Sequence, residues 1–252
     1  MEGYSSYFQS SSSSPGYGNS WNFDTFKNFR HFSPVVQSHL QKVYLTLCCA
    51  LVASAVGSYL HILWNIGGLL TTLACLGCMT WLLAVSPHEE RKRSGLLMAA
   101  AVFEGASIGP LVQVAIEIDP SILVSAFVGC AIAFGCFSAA AMVAKRQEYL
   151  WLGAVCSSGL SLLFWLQFAS SLFGGLTSLF KFELYFGLLV FVGYIVFDTQ
   201  MIIEKAHHGD LDHVKHALTL FTDFIAVFVR ILVILLKNST EKEEERKKKR
   251  RN

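Results

Sequence analysis

Two long stretches of the sequence contain no charged side chain. No Asp, Glu, Lys or Arg occurs from Val43 to Ser86 or from Tyr149 to Phe180. A helix that crosses a bilayer needs about 20 consecutive apolar residues, so each stretch is long enough for at least one crossing. The chain is 53% hydrophobic and only 15% charged, whereas soluble domains are about 25% charged. The sequence therefore predicts a membrane protein.

Short polar segments divide the apolar sequence into seven predicted helices. The breaks are WNIGG, SPHEERKRSG, EIDPS, AKRQE, FGGLTSLFKFE and HHGDLDHVKH. The predicted spans are 43–63, 66–85, 95–116, 121–144, 149–172, 182–203 and 217–236. Because no internal repeat is evident, we expect one all-α polytopic membrane domain over 41–237. A polar arm, 1–40, is predicted to be disordered, and a charged tail covers 238–252.

The basic residues predict the orientation of the chain. Ten lie in the N-terminal arm and in loops 2–3, 4–5 and 6–7, whereas only Lys181 lies on the other side. Basic loop residues face the cytosol in membrane proteins, which predicts a cytosolic arm. The end of the chain, 237–252, carries eight further basic residues, and the last span contains Asp223 and Arg230. We therefore keep two topologies: a full last crossing, with the tail outside the cytosol, and a short or re-entrant last segment, with the tail inside.

Two aspartates, Asp198 and Asp223, lie within apolar segments on either side of the histidine-rich loop. Asp198 precedes Glu204 by six residues and Asp223 follows His216 by seven, so at 1.5 Å per residue each lies about 10 Å from the loop. The two carboxylates can therefore meet on consecutive antiparallel helices. In an apolar site they do not both ionise cheaply, and we expect them to share a proton. Once ionised, they form a hard oxygen site suited to Ca²⁺.

Other ionisable residues are weighed against simpler interpretations. Glu104 lies in the middle of the third span. The alternatives are that it lines an ion path, that it pairs with Arg230, or that it is neutral and hydrogen-bonded within the bundle. The alternatives to a contact with Asp198 are that the Asp223 side chain reaches the membrane interface or that it contacts Arg230 through a water molecule. The loop histidines are expected to be solvated, to gain charge near pH 6.5 and so to tune the aspartate pair. They are His207, His208, His213 and His216. Zinc binding by this loop is the less favoured alternative, because no metal-ligand spacing supports it.

Several blocks of the sequence, in order, resemble the Bax inhibitor-1 family. The signature region is similar to GYIVFDTQMIIEKAHHGD followed by LFTDFIAVF. The segments SPVVQSHLQKVY, GASIGPL, DPSILVSAF and YLWLGAVCSSGLSLL also resemble that family. The similarity covers about 30–250, and the N-terminal part looks like that of a plant member.

This resemblance implies six helices wrapped around a central seventh. It also implies residence in the endoplasmic reticulum membrane, suppression of programmed cell death and a pH-dependent Ca²⁺ leak. The family's paired aspartates match Asp198 and Asp223. In a bacterial relative an arginine at the end of the second span latches the pair, and the matching cluster here is Arg91, Lys92 and Arg93. The sequence does not choose among these three, and ordinary surface charge is the alternative.

Two functions are consistent with the sequence. The first is a pH-sensitive Ca²⁺ leak channel that regulates calcium in the endoplasmic reticulum, suppresses cell death and is gated by Asp198 and Asp223. The second is a membrane scaffold that regulates death and stress signalling through partners and transports nothing. The expected partners are the lipid bilayer, Ca²⁺, other membrane proteins of the endoplasmic reticulum and, at the tail, calmodulin. We expect no enzymatic activity, no nucleic-acid partner and no cofactor, since Ca²⁺ is the transported ion.

Overall fold

The computed structural model describes residues 33–143, 148–173 and 177–251. Within these residues the chain forms seven α-helices and no strand, which confirms the predicted all-α fold. The helices are α1 Pro34–Trp64, α2 Leu69–Ala84, α3 Glu90–Ile118, α4 Pro120–Val143, α5 Glu148–Phe173, α6 Thr177–His207 and α7 His213–Arg251. Most of the predicted arm and the basic residues Lys145 and Arg146 lie outside the described residues.

Local sequence signals explain where several helices begin and end. Pro34 occupies the first turn of α1, where its missing N–H removes no helical hydrogen bond. Asn65 ends the same helix in the left-handed conformation, with φ of 51°. Pro120 begins α4, and the Asp119 carboxylate accepts a hydrogen bond of 2.9 Å from the Ser121 N–H. The short connections that these residues form keep neighbouring helices antiparallel.

The boundaries differ from the prediction at both ends of the chain. Residues 34–40, assigned to a disordered arm, form the first turns of α1, because His39 and Leu40 are buried against the bundle. At the other end, α7 is one helix of 39 residues that continues through the charged tail to Arg251. Of the two topologies kept open for the last segment, this helix fits the full crossing rather than the short or re-entrant segment. The short helix is α2, with 16 residues, or about 24 Å.

The seventh helix lies at the centre of the bundle, as the resemblance implied. Half of its apolar stretch is buried, a larger share than in the other five helices that are long and apolar enough to cross a membrane. It packs against α1, α3, α4 and α6, whereas α2 packs mainly on α3 and α5 mainly on α6. Two of the six surrounding helices therefore occupy outer positions.

The two ends of the described chain lie at opposite ends of the bundle. At one end, His39 near the start of α1 contacts His216 in the first turns of α7. We call this the basic end, because the α2–α3 and α6–α7 connections with their basic residues lie there. At the opposite end, Glu241 of α7 forms an ion pair of 2.9 Å with Lys181 near the start of α6. The arrangement corresponds to seven passes through the bundle.

This arrangement predicts opposite sidedness for the two termini. Epitope tags placed before Met1 and after Asn252 should respond differently to protease in sealed microsomal vesicles. We expect protease to remove one tag and spare the other until detergent opens the vesicles. Simultaneous loss of both tags from sealed vesicles would show that α7 does not cross.

Close packing of α1 on α3 depends on glycine. A Cβ atom at Gly105 would collide with the backbone carbonyl of Ser54, and one at Gly57 would collide with that of Val102. Neither obstacle is a flexible side chain, so a larger residue forces the helices apart. Ser58 strengthens the same contact by donating a hydrogen bond of 2.8 Å to the Gly105 carbonyl.

We therefore predict that Gly105→Ala destabilises the protein. The cost should be about 1–3 kcal/mol, the range typical of overpacking, and a lower melting temperature in detergent would report it. The matched control is Gly135→Ala in α4, where a Cβ atom would meet nothing within 4 Å. Equal melting temperatures for the two variants would contradict the proposed close packing.

Candidate functional site

The structure brings Asp198 of α6 and Asp223 of α7 together inside the bundle. The two carboxyl groups lie within hydrogen-bonding reach of each other. The Asp223 side chain is 6% exposed, and its Oδ2 atom has no hydrogen-bond partner among the described residues. An ionised carboxylate only accepts hydrogen bonds, so a bond between two carboxyl groups requires a proton on one of them. The structure therefore brings the two carboxyl groups together, as the sequence predicted.

The pair lies deeper in the helices than the sequence suggested. Asp198 is nine residues from the end of α6 at His207, and Asp223 is ten residues from the start of α7 at His213. These separations correspond to about 14 and 15 Å along the helix axes. The predicted match in depth therefore holds, but the helices extend beyond Glu204 and His216. The carboxyl groups are thus far from both ends of the bundle.

Polar side chains on neighbouring helices surround the α6 side of the pair. Thr199, which follows Asp198, is buried with its hydroxyl 3.5 Å from that of Ser138 on α4. Gln200 is also buried and donates a hydrogen bond of 3.2 Å to the Ala141 carbonyl. These contacts anchor α6 to α4 immediately after Asp198. They leave the Asp198 carboxyl facing α7.

A buried histidine pair lies between the aspartates and the basic end. The His39 Nε2 and His216 Nδ1 atoms are 2.9 Å apart, and the two rings are nearly perpendicular. A hydrogen bond between ring nitrogens needs one donor and one acceptor, so at most one of the two rings is charged. His216 was expected in a solvated loop; that expectation is wrong, because His216 lies inside α7 and contacts α1.

The other three predicted histidines lie nearer the solvent. His207 is exposed at the end of α6, and His213 begins α7. His208 is exposed, and its Nδ1 atom lies 2.8 Å from the Glu204 carbonyl oxygen. Among the described residues, no group of three or more His, Cys, Asp or Glu side chains has metal-binding geometry.

Arg93 is buried, at 4% exposure, and ties three elements together at the basic end. Its Nη1 atom donates a hydrogen bond of 2.7 Å to Asp212 Oδ2, and its Nε atom donates one of 3.4 Å to the Leu82 carbonyl. Asp212 Oδ1 accepts a hydrogen bond of 3.1 Å from the Lys215 N–H in the first turn of α7. Arg93 therefore connects the end of α2, the start of α3 and the start of α7.

The electrostatic environment of Asp212 favours its ionised form. Burial alone would raise the pKa of this carboxyl. The Lys215 N–H and the Arg93 guanidinium outweigh burial and hold the pKa below its ordinary value. Asp212 is therefore a fixed negative charge that caps α7 and pairs with Arg93.

The three residues that were candidates for a latch, Arg91, Lys92 and Arg93, lie in three different environments. Arg91 is exposed, and Lys92 forms a surface ion pair of 2.7 Å with Glu89. Only Arg93 is buried, and its carboxylate partner is Asp212 rather than Asp198 or Asp223. Asp212 precedes Asp223 by eleven residues, or about 16 Å along α7. The arginine holds the α6–α7 connection above the aspartate pair.

Glu104 and Arg230 were expected as possible partners, but the structure places them apart. Glu104 Oε2 accepts a hydrogen bond of 3.3 Å from the Cys75 thiol on α2. Arg230 lies over the Phe191 ring of α6, 4.2 Å from its centroid, and donates a hydrogen bond of 3.0 Å to the Ala226 carbonyl. Glu104 therefore faces α2, and Arg230 faces α6.

The donor set of the aspartate pair is small for a resident calcium ion. Two carboxylates supply at most four oxygens, whereas Ca²⁺ takes six to eight. A Ca²⁺ ion at this pair would need water or backbone oxygens for the remaining positions. The arrangement suits a passing cation better than a permanently bound one.

Comparison with known proteins identifies the family. The family model described as "Inhibitor of apoptosis-promoting Bax1" matches residues 36–240, which include parts of all seven helices. The chain belongs to the Bax inhibitor 1 family. The family's description names an inhibitor of a cell-death protein and no catalytic activity. With six long apolar helices, this member is a multi-pass membrane protein.

Curated relatives come from plants and animals. The chain is 68% identical over 237 residues to Bax inhibitor 1 of Arabidopsis thaliana, which covers 94% of each chain. It is 64% identical over 231 residues to Bax inhibitor 1 of Oryza sativa subsp. japonica, covering 92% of this chain and 93% of that one. Human Bax inhibitor 1 is 43% identical over 219 residues, or 85% and 92% of the two chains. The predicted likeness to plant members is confirmed.

Two polar residues of this region were missed in the sequence. His39 was placed in the arm, although it lies five residues inside α1 and His216 lies three residues inside α7. Because the two histidines lie at similar distances from the starts of their helices, their spacing could have indicated that they meet. Asp212 was read only as part of a solvated loop. Its position immediately before α7, where carboxylates cap helices, was the available signal.

The Arg93–Asp212 contact predicts a large effect of removing the arginine. Arg93→Met should lower the free energy of unfolding by about 3 kcal/mol, because it leaves a mostly buried carboxylate without its cation. Arg91→Met is the matched control and should stay within about 0.5 kcal/mol of wild type. Thermal unfolding of the purified proteins in detergent would measure both. An equal response of the two variants would contradict the structural role of Arg93.

The lowered pKa of Asp212 also sets the pH range of this effect. A carboxyl group with a depressed pKa stabilises the fold above its ordinary value of about 3.9 and loses that contribution as the pH falls through the folded value. The stability difference between wild type and Arg93→Met should therefore be constant from about pH 8 to 5 and shrink only below about pH 4. A difference that disappears near pH 6 would assign the effect to a histidine.

Proposed function

We propose that this chain suppresses programmed cell death as a pH-sensitive Ca²⁺ leak channel of the endoplasmic reticulum membrane, gated by Asp198 and Asp223. The observation that carries the proposal is the contact between two carboxyl groups in the interior of the helix bundle. Ionisable groups at membrane depth are costly, so they are expected mainly where they take part in ion or proton movement. Membership of a family described by inhibition of Bax supports the link to cell death.

Protonation supplies the gate in this proposal. With one shared proton, the pair carries a single negative charge and links α6 to α7 by a hydrogen bond. Loss of that proton leaves two adjacent carboxylates, which repel each other and attract a divalent cation. The same event thus weakens the contact between the helices and creates a cation site between them.

The basic end would transmit the pH of the cytosol to the gate. We place this end in the cytosol on the charge count of the sequence, in which ten of the eleven basic residues of the arm and loops fall on one predicted side. The histidine pair and the Arg93–Asp212 contact lie between this compartment and the aspartates. If both rings of the His39–His216 pair were charged, each would be a donor only, and their ring hydrogen bond would break.

The proposal predicts that carboxamides abolish the pH response. The double variant Asp198→Asn/Asp223→Asn keeps the shape of both side chains but removes the titrating protons. In liposomes loaded with a Ca²⁺ indicator, wild type should show a Ca²⁺ flux that changes between about pH 5 and 8, whereas the double variant should show a flat profile. The control is Glu89→Gln, which removes a surface carboxylate that pairs with Lys92.

Two results would contradict this mechanism. Flux equal to that of empty vesicles at every pH would exclude the leak. A pH response that survives in the double variant would assign the gate to other groups. Correct folding of each variant is checked by its melting temperature and by its elution as a single species.

A scaffold that transports nothing is the second candidate, and the continuous α7 helix favours it. The helix extends through the charged tail to Arg251 and so presents a preformed segment to a partner. A cytosolic partner such as calmodulin would bind this tail only if the C-terminal end faces the cytosol. Loss of cell protection on deletion of 238–252, with flux unchanged, would favour the scaffold.

A further inference from the structure

A cavity of about 400 Å³ opens sideways between α1, α3 and α4. We call it the lateral groove. Its back wall is formed by Phe224, Ile225 and Phe228 of the central helix α7. These side chains lie one, two and five residues after Asp223 and are 4%, 8% and 7% exposed. The groove is therefore one place where the central helix borders an opening between the outer helices, although other α7 side chains, such as Thr222, are more exposed.

Helix packing explains why the gap exists. The glycine contacts described above draw α3 close to α1. Helix α4 instead packs mainly on α6 and α7. Helices α1 and α3 thus form two walls of the groove, and α4 forms the third. The groove is the space that remains between the α1–α3 pair and α4.

The lining of the lateral groove favours a hydrocarbon occupant. Its rim consists of exposed apolar or aromatic side chains, including Tyr59, Val124 and Phe127. Of its two serines, Ser58 already donates its hydroxyl to the Gly105 carbonyl. A water molecule needs two to four polar partners, which this surface does not offer. The walls belong to membrane-spanning helices, so the available hydrocarbon is the acyl chain of a lipid.

The charge around the groove distinguishes among lipids. Its lining reaches Ile116 and Leu123, which flank the exposed Glu117 and Asp119 at the end opposite to the basic end. Hydrogen bonds from Ser121 lower the pKa of Asp119, which keeps this carboxylate ionised. No Lys or Arg occurs in 43–86 or in 94–144. The mouth of the groove therefore repels an anionic headgroup and attracts an amine.

We infer that the lateral groove binds one acyl chain of a zwitterionic phospholipid, with the headgroup amine near Glu117 and Asp119. The acyl chain lies against Phe224 and Phe228 at the back of the groove. A lipid in the groove thus contacts the turn of α7 that follows Asp223. The site itself does not depend on Ca²⁺ transport, so either result on flux leaves it testable.

Photolabelling of the full-length protein in nanodiscs tests this inference. A trace of phosphatidylcholine with a diazirine near the end of one acyl chain is included, and labelled peptides are mapped by mass spectrometry. We expect label on the α7 peptide that contains Phe224 and Phe228. An otherwise identical phosphatidylserine probe should label that peptide more weakly.

Variants that fill the groove provide the controls. Ala55→Trp places a large ring in the groove from α1, and Val124→Trp does so from the rim on α4. Each should reduce α7 labelling about fivefold, equivalent to about 1 kcal/mol of chain binding. Val52→Trp, on an exposed position of α1 outside the lining, should leave labelling unchanged.

Three outcomes would overturn the inference. They are absence of label on α7 in wild type, labelling that survives in both groove-filling variants, and stronger labelling by the phosphatidylserine probe or by a sterol probe. Melting temperatures of all variants show whether each protein is folded. The two filling variants lie on different helices, so misfolding of one leaves the other as the test.

Discussion

Burial of α7 within the bundle is the constraint on which the rest of the structure depends. A helix that carries His216, Asp223 and Arg230 is poorly suited to contact lipid, because each polar group would lack a partner there. In the bundle α7 is surrounded by α1, α3, α4 and α6. Its polar side chains there have protein partners: His39 contacts His216, Asp198 contacts Asp223, and the Phe191 ring contacts Arg230. The apolar outer helices then face the bilayer. The central position therefore follows from the polar content of the helix.

Two polar contacts close the basic end of the bundle above the aspartate pair. The His39–His216 contact joins α1 to α7, and the Arg93–Asp212 contact joins the α2–α3 region to the start of α7. Both involve side chains that are largely removed from solvent, so breaking either leaves a polar group without a partner. The connection between α6 and α7 is thus held to the rest of the bundle by specific contacts at the start of the helix that carries Asp223.

Hydropathy and spacing were sufficient to predict seven helices and the meeting of Asp198 with Asp223, because both depend on local periodicity and on short loops. The length of α7 was not predictable in this way. The charged residues 238–251 were assigned to a separate tail, although they continue the helix to Arg251. The partners of Arg93 and His39 were missed for another reason. They lie 119 and 177 residues away in the chain, and only the packing of the helices brings them together.

Three ionisable residues in the buried part of α7 occur at intervals of seven, at positions 216, 223 and 230. Seven residues make almost two turns, so these side chains form one slowly winding stripe with steps of about 10.5 Å. A cation that passes Asp223 along this stripe towards the tail meets the Arg230 guanidinium. That group is held over Phe191, and a Cβ atom on Gly187 would lie 2.6 Å from its Nε atom. Any cation path along α7 therefore requires Arg230 to move, and the absence of a side chain at Gly187 is what leaves room for the arginine between α6 and α7.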